Sequence, residues 1–360
     1  MVEAEGVSSL QHYAKPLASL LADATVTEIC MQRAGELFVE RASGWARIGA
    51  PWATAAWARS FARLAATATS QRVRPESPLL SATLPSGERV QIALPPATSG
   101  DQVAIAIRKP SGGRWSLEEL VAAGLLERCK PAGHAQHAAR AQLARHYCAG
   151  EYREFLALAV QARLNIVVSG ATGSGKTTLT KALIGEIPPD ERLVSIEDTA
   201  ELTFEQHANV VRLFYSKDGQ GVARITAKQL LEASLRLRPD RILLAELRGE
   251  EAYYFLRNVS SGHPGSVTSV HSGSCALAFE QLALLIKESA PGRELRIVDI
   301  QRLLRQVVDV VVQCTRDGGA RRVTELWWGE TVGARGPRRH ATSCTAAASP
   351  ACPKLIACAT

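Results

Sequence analysis

Residues 166–177 read IVVSGATGSGKT and match the pattern G-x-x-x-x-G-K-[ST] at every fixed position from Gly170 to Thr177. Apolar residues precede the pattern, so we predict a buried strand over 165–169 and a helix that begins near Lys176. Glycines let the backbone fold closely around a phosphate group, and the amide groups of the turn and of the helix N-terminus attract the anion. The segment therefore predicts a phosphate-binding loop in an α/β fold.

Two side chains of this loop have predicted contacts with a nucleotide and its metal. Lys176 should reach the β- and γ-phosphates, and the Thr177 hydroxyl should ligate Mg²⁺. The other residues that we expect around the phosphates belong to the same turn, namely Gly170, Ala171, Thr172, Gly173, Ser174, Gly175 and Thr178.

Acidic residues follow two other predicted strands. Glu246 ends the buried strand over 242–245, where a parallel sheet exposes reactive groups at its carboxyl edge, so we expect it to hold the Mg²⁺ shell and polarise the attacking water. Glu197, Asp198 and Glu201 follow a strand over 192–196 in the same way. The alternatives are an ordinary charged strand exit for Glu246 and a helix N-terminal charge bias for the other three acids.

Two histidines flank a third predicted strand, over 266–270. His263 precedes this strand and His271 follows it, and the pair could sense the γ-phosphate. A structural or solvated role is the alternative for each ring. A zinc site is disfavoured because no third and fourth ligand lie nearby in the sequence.

The 360 residues suggest two domains, because a hydrophobic content of 46% and a charged content of 21% are ordinary globular values. Residues 1–140 mix strands and helices without clear βαβ alternation, and a hairpin is expected around residues 85–87, so an α+β domain is predicted there. We expect a linker at 141–155 and an α/β domain with a largely parallel sheet at 156–329. Residues 330–360 lack apolar periodicity and are expected to form a disordered tail.

The charge balance limits the classes of partner. The net charge is +7, and residues 331–360 contribute +4, which leaves +3 for the rest of the chain. So small an excess disfavours direct nucleic-acid binding, but it is compatible with weak attraction to an anionic membrane surface. No apolar stretch of membrane-spanning length and no signal peptide is apparent, so a cytoplasmic location is expected. Eight cysteines without a CxxC pair favour free thiols.

Four motifs in order resemble a known family. GATGSGKT at 170–177, IEDTAEL at 196–202, RILLAELRGEEA at 241–252 and SGHPGSVTSVHSGS at 261–274 look like the Walker A motif, Asp box, Walker B motif and His box of the secretion-superfamily hexameric ATPases. Within that superfamily the chain is most similar to the traffic ATPases of type IV secretion systems, the VirB/conjugal-transfer type. The segment SATLPSGERVQIALPPATSG at 81–100 in the first domain agrees with this resemblance.

The resemblance implies a homohexameric ring in which a smaller α+β domain precedes a RecA-like P-loop ATPase domain. It implies ATP and Mg²⁺ as cofactors, nucleotide between the two domains, and inner-membrane secretion-channel subunits as partners of a peripherally associated enzyme. Within the matching motifs, the implied catalytic residues are Glu246, Lys176, Glu197, Asp198 and His271. Nucleotide-binding roles are implied for His263, Arg89 and Arg108, and metal binding for Thr177 and Glu246. No aspartate precedes Glu246, so its Mg²⁺ contact is expected to pass through water.

Three alternatives stay open at this point. A RecA-like nucleic-acid translocase would need a basic channel with aromatic platforms, which the low charge and the aromatic content of 5% disfavour. A related type II secretion ATPase is disfavoured because no four-cysteine zinc insert is present, and a pilus-retraction ATPase is disfavoured because no AIRxLI-like segment is visible. A ring that binds nucleotide without turnover is disfavoured by the intact Lys176, Thr177 and Glu246.

Overall fold

The structure, a computed structural model, describes residues 9–110, 115–127, 129, 139–216 and 221–329. The tail expected at 330–360 lies outside these residues. Residues 9–13 are helical, and a short 3-10 helix, Lys15–Leu17, follows them. The architecture is an α+β domain followed by a RecA-like α/β domain, which confirms the predicted fold class.

The described part of the N-terminal domain is built on a six-stranded antiparallel sheet in the order β3-β2-β1-β6-β5-β4. Its strands are β1 Glu28–Met31, β2 Gly35–Arg41, β3 Gly44–Ala50, β4 Leu79–Thr83, β5 Arg89–Ala93 and β6 Ala104–Arg108. Its helices are α1 Ala18–Ala22, α2 Ala55–Ala68 and α3 Leu117–Ala122. The predicted hairpin is confirmed as the β4–β5 pair.

The two faces of this sheet carry side chains of different size. Alternate residues of a strand point to opposite faces, so Ile105 and Ile107 pack with Phe61 of α2 in one core. Ala104 and Ala106 face the other way and join a core that is shared with the second domain. Because alanine side chains are small, the second domain can approach the backbone of this sheet closely.

The second domain has seven strands in the described residues, and six of them run parallel. They are β7 Ile166–Gly170, β8 Leu193–Glu197, β9 Val210–Phe214, β10 Arg241–Leu244, β11 Val267–Val270, β12 Val310–Asp317 and the antiparallel β13 Ala320–Trp328. The orders are β10-β8-β9 and β11-β7-β12-β13, and a parallel bridge between Leu247 and Val270 joins the two groups. The carboxyl ends of these parallel strands therefore meet at one edge.

Helices cover this sheet on both faces, as predicted. Val167 of β7 lies in a core with Phe279, and its neighbour Val168 lies in a different core with Phe155 and Ile184. The helices are α4 Arg140–Ala149, α5 Tyr152–Gln161, α6 Lys176–Gly185, α7 Ala227–Ser234, α8 Glu251–Ser260, α9 Cys275–Glu288, α10 Ala290–Glu294 and α11 Ile297–Val307. None of the helices in the described part of the chain has the length and apolar character needed to cross a membrane.

Residues 141–155, expected to be a linker, lie in helices instead. They span most of α4 and the start of α5, and α4 and α5 pack on the second domain. Tyr147 and Phe155 hold their rings 5.6 and 5.5 Å from that of Trp328, and the Tyr147 hydroxyl donates to Leu326 O at 2.9 Å. The sequence did not predict α4 because only Leu143 of that helix is buried, so the helix has little hydrophobic periodicity.

Candidate nucleotide-binding site

The phosphate loop has the backbone that its sequence predicts. The loop leaves β7 at Gly170 and enters α6 at Lys176, and Gly173 and Gly175 between them have φ angles of +77° and +100°. Such angles are strained for residues with a side chain, so glycine is required at the turn. Ala171, Thr172 and Ser174 complete the turn, and Thr178 lies in the first turn of α6.

Lys176 folds back over this turn. Its Nζ donates to Gly170 O at 2.8 Å and to Ala171 O at 3.2 Å, and the residue is 8% exposed. Burial lowers the pKa of Lys176, although the nearby Glu246 acts in the opposite direction. Two neutral carbonyl groups therefore hold the ammonium group at the mouth of the loop. A phosphate oxygen could take their place as its hydrogen-bond acceptor.

His271 links the phosphate loop to Glu246. Its Nδ1 lies 3.3 Å from Lys176 Nζ, and its Nε2 lies 2.6 Å from Glu246 Oε1. Because an ammonium group can only donate, Nδ1 accepts and Nε2 carries the proton that faces the carboxylate. Three predicted site residues from three different strand ends are thus in direct contact at the carboxyl edge of the sheet.

Arg248 is a site residue that the sequence analysis did not single out. Its Nε donates to Glu246 Oε2 at 2.5 Å, and its Nη1 donates to Asp198 Oδ2 at 2.7 Å. Burial disfavours the charged guanidinium, but the two carboxylates outweigh burial and raise the pKa of Arg248. Its place two residues after Glu246, in the turn that follows a buried strand, was the available signal. Arg321, whose Cδ would lie 3.0 Å from a Cβ at Gly175, was also missed.

Glu197 and Asp198 are adjacent in sequence but differ in surroundings. Asp198 faces Arg248, whereas the fully buried Glu197 accepts two bonds from Arg212, each at 3.0 Å. Glu197 also accepts from the Ser195 hydroxyl and from two backbone amides of the following loop. These bonds occupy both oxygens of its carboxylate, so the structure gives Glu197 the geometry of a residue that shapes the loop carrying Asp198.

A hydroxyl and carboxylates lie where Mg²⁺ would be needed. The Thr177 hydroxyl donates to Glu201 Oε2 at 3.1 Å, and Glu246 stands at the same edge of the sheet. These oxygens suit Mg²⁺, which takes one or two carboxylates and completes its shell with water and phosphate oxygens. Within the described ranges, no three carboxylate, thiol or imidazole side chains are grouped closely enough to hold a metal ion by themselves.

His263 lies at the opposite edge of the sheet from His271. It precedes β11, and its charged neighbours are Arg238 and Asp240 at the amino end of β10. Burial, reinforced by Arg238, lowers the pKa of His263. A four-residue strand spans about 13 Å, so within this chain His263 lies away from the phosphate loop, contrary to the expectation.

Arg89 and Arg108 also lie away from the phosphate loop of their own chain. They are cross-strand neighbours on β5 and β6 and line a cavity of about 340 Å³ between the two domains. The second domain contributes Arg236 and Arg238 to this cavity, and both precede β10 at the amino edge of the sheet. The expected closure of Arg89 and Arg108 over the nucleotide is therefore not seen within this chain.

Comparisons with known proteins identify the family of this chain. A family model described as Type II/IV secretion system protein matches residues 135–353. The type IV secretion system protein VirB11 of Bartonella quintana (strain Toulouse) is 43% identical over 329 residues, which cover 87% of this chain and 91% of that protein. VirB11 of Brucella suis biovar 1 is 44% identical over 326 residues, which cover 89% of this chain and 90% of that protein.

A solved structure shows the same fold over nearly the whole chain. The crystal structure of the VirB11 ATPase from the Brucella suis type IV secretion system, in complex with sulphate, aligns with a TM-score of 0.87 at 42% identity. The alignment covers 91% of this chain and 97% of that one. The sequence relatives, the family model and the shared fold agree, and this chain belongs to the VirB11 family of type IV secretion system ATPases.

Proposed function

We propose that this ATPase couples Mg²⁺-dependent hydrolysis of ATP to assembly of a type IV secretion apparatus or to transfer of macromolecules through it. The observation that carries the proposal is the contact chain from Lys176 through His271 to Glu246 at the carboxyl edge of the parallel sheet. It brings a phosphate-binding cation and a candidate water-activating carboxylate to one place, which phosphoryl transfer to water requires.

Each of the site residues has a separate part in hydrolysis. Lys176 exchanges its carbonyl partners for phosphate oxygens and stabilises the charge that builds up on them. Thr177, Glu201 and Glu246 offer the oxygens for Mg²⁺, which when bound neutralises charge on the β- and γ-phosphates. Glu246 orients the attacking water and accepts its proton, and His271 holds one oxygen of that carboxylate from the side of the phosphate loop.

A phosphate-release assay on the purified full chain tests the activity and the metal. Turnover should require Mg²⁺, be lost on addition of EDTA, and return when Mg²⁺ is restored in excess. Turnover that persists in EDTA would refute the assignment of Thr177 and Glu246 to a metal shell.

The second part of the proposal is a ring of six in which neighbouring subunits complete each site. Arg89 and Arg108 lie at the amino edge of the sheet in their own chain, whereas the phosphate loop lies at the carboxyl edge. A head-to-tail contact repeated around a closed ring can bring one edge of a subunit to the other edge of the next. The arginines would then supply positive charge to the phosphates bound by the adjacent subunit.

Mixing two inactive variants tests this shared site. Lys176→Ala lacks the lysine of the phosphate loop and Arg108→Ala lacks the arginine, so each alone should be inactive. In randomly mixed rings about one quarter of the interfaces pair an intact loop with an intact arginine, and turnover should recover to about that level. No recovery, or a monomer by light scattering in the presence of a non-hydrolysable ATP analogue, would exclude the shared site.

The location of the enzyme is the third part. We propose peripheral attachment to the inner membrane through channel subunits of the secretion apparatus, with a small contribution from anionic lipid. Co-sedimentation with vesicles that contain anionic lipid should be weak, should fall with added salt, and should rise strongly when the channel subunits are present. Equally strong sedimentation with vesicles alone would instead mark the lipid as the main partner.

A further inference from the structure

Arg248 is the one side chain in the described residues that touches both Glu246 and Asp198. Its guanidinium donates from Nε to Glu246 and from Nη1 to Asp198, while Nη2 also contacts Glu246. The two carboxylates follow different strands, β10 and β8, and have no other cation in common. One planar group thus joins the ends of two neighbouring strands beside the phosphate loop.

The turn that carries Arg248 is itself held in place. The backbone amides of Arg248 and Gly249 donate to the same oxygen of Glu251, at 2.6 and 2.8 Å. Glu251 lies in the first turn of α8 and is 9% exposed. Because a buried carboxylate fixes the backbone, the guanidinium starts from a defined position, and its forked shape sets the direction of both bonds.

The geometry points to Arg248 as a positioning residue that holds the Glu246 carboxylate in line with the phosphate loop and connects it to the Asp198 loop. This inference rests on the proposed role of Glu246 in hydrolysis. Glu246 has His271 on one oxygen and Arg248 on the other, so both rotations that would turn the carboxylate away are opposed. Asp198 then acts on the reaction through Arg248, by orienting the far end of the guanidinium.

The shape of the guanidinium, and not only its charge, is needed for this role. A lysine at 248 would keep one positive charge but would lack the two donor directions that reach Glu246 and Asp198 together. A glutamine would lose the charge as well. The three side chains therefore form a graded series, in which turnover should fall from arginine to lysine to glutamine.

Steady-state kinetics on the full chain test the inference. Arg248→Gln should lower kcat by about 10–100-fold, the range found when a group that orients a reacting ligand is removed, and Arg248→Lys should recover part of that loss. KM for ATP, and the calorimetric affinity for a non-hydrolysable analogue with Mg²⁺, should change less than about threefold, because ground-state binding is left intact. Arg257→Gln, an exposed arginine on α8, is the matched control and should behave as wild type.

Double variants separate positioning from an independent contribution. If Arg248 acts through Glu246, Arg248→Gln should hardly reduce the low residual turnover that is left in the Glu246→Gln background. Asp198→Asn should lower kcat less than Arg248→Gln does and should add nothing to it. Since Asp198→Asn leaves the arginine in place, it tests the connection even if Arg248→Gln folds poorly.

Three results would overturn the inference. The first is wild-type turnover in Arg248→Gln, and the second is additive losses of turnover in the Glu246→Gln background. The third is a KM raised tenfold or more with kcat retained, which would mean that Arg248 contacts the nucleotide directly. A wild-type chain without ATPase activity would count against the proposed function, whereas an active wild type with any of these three results counts against Arg248 alone.

Discussion

Replacing Gly170 by alanine tests the close packing behind the phosphate loop. A Cβ built on Gly170 would lie 2.4 Å from Cys314 O and 2.4 Å from Ser174 Oγ. The serine can rotate, but Cys314 belongs to β12, which is paired with β7 at this residue. Contacts below 3.0 Å are essentially never found for a real Cβ, so the strand end must move by about 0.6 Å.

The size of the effect follows from that shift. Overpacking of this kind commonly costs about 1–3 kcal/mol, and a domain of this size loses roughly 2–4 °C of melting temperature per kcal/mol. We therefore expect Gly170→Ala to melt roughly 2–12 °C below wild type. Because Gly170 O is also the partner of Lys176 Nζ, the shift displaces the lysine, and nucleotide affinity should fall at least about tenfold.

Differential scanning calorimetry and titration with a non-hydrolysable ATP analogue measure the two effects. Gly185→Ala is the matched control, because Gly185 ends α6 and a Cβ there meets nothing within 4 Å. The control should be neutral or stabilised by about 0.4–1 kcal/mol. A Gly170→Ala variant with wild-type melting temperature and affinity would refute the reasoning, since the strands behind the loop would then have room for a methyl group.

The other predictions concern charge. Lys176→Ala should retain less than about a tenth of wild-type phosphate release, because no other group of the loop replaces the ammonium. Glu246→Gln should bind the analogue normally in calorimetry yet lose turnover, and joint loss of both would mark the residue as structural. Burial raises the pKa of Glu28 from its ordinary 4.5 to about 7, so the free-energy cost of burying it accumulates as pH rises from about 4.5 to 7 and is constant above pH 7. In urea titrations Glu28→Gln should therefore stabilise the protein by on the order of 1–3 kcal/mol at pH 8 and hardly at all at pH 4. Arg241→Ala should cost about 3–5 kcal/mol in the same assay, because it removes the two bonds of 2.7 and 2.8 Å to the buried Glu191, leaves that carboxylate only Arg163 at 3.3 Å, and empties the space of a fully buried side chain; a loss below about 1 kcal/mol would contradict this.

Interactions between neighbours in the chain were predictable from the sequence alone. The glycine turn before Lys176 has positive φ angles where the motif places glycine. A capping box likewise forms between two residues only three positions apart, with Thr226 N donating to Gln229 at 2.9 Å. These features depend on residues a few positions apart, so a single sequence carries the information. The parallel sheet was predictable for a related reason, since buried strands and helices alternate along the second domain.

Contacts between distant segments were predictable only in outline. The sequence indicated that Glu246 and His271 follow strands whose carboxyl ends share an edge, and the structure places them 2.6 Å apart. The order of His263, the strand and His271 already placed the two rings at opposite ends of the strand, whereas nothing in the sequence indicated that Arg89 lies at the amino edge. A residue that precedes a strand and one that follows it look alike in a motif, although the length of the strand separates them.

The sequence by itself determined the phosphate loop, the fold class and the family. Each of these depends on a contiguous motif or on the regular alternation of strands and helices along the chain. Only the tertiary structure decided that Arg248 joins Glu246 to Asp198, that bonds to Arg212 occupy Glu197, and that Arg89 stands apart from Lys176. These outcomes depend on strand order and on the packing of one domain against the other. The free energy of packing is a sum over side chains that lie far apart in the sequence, so no local sequence pattern predicts these contacts.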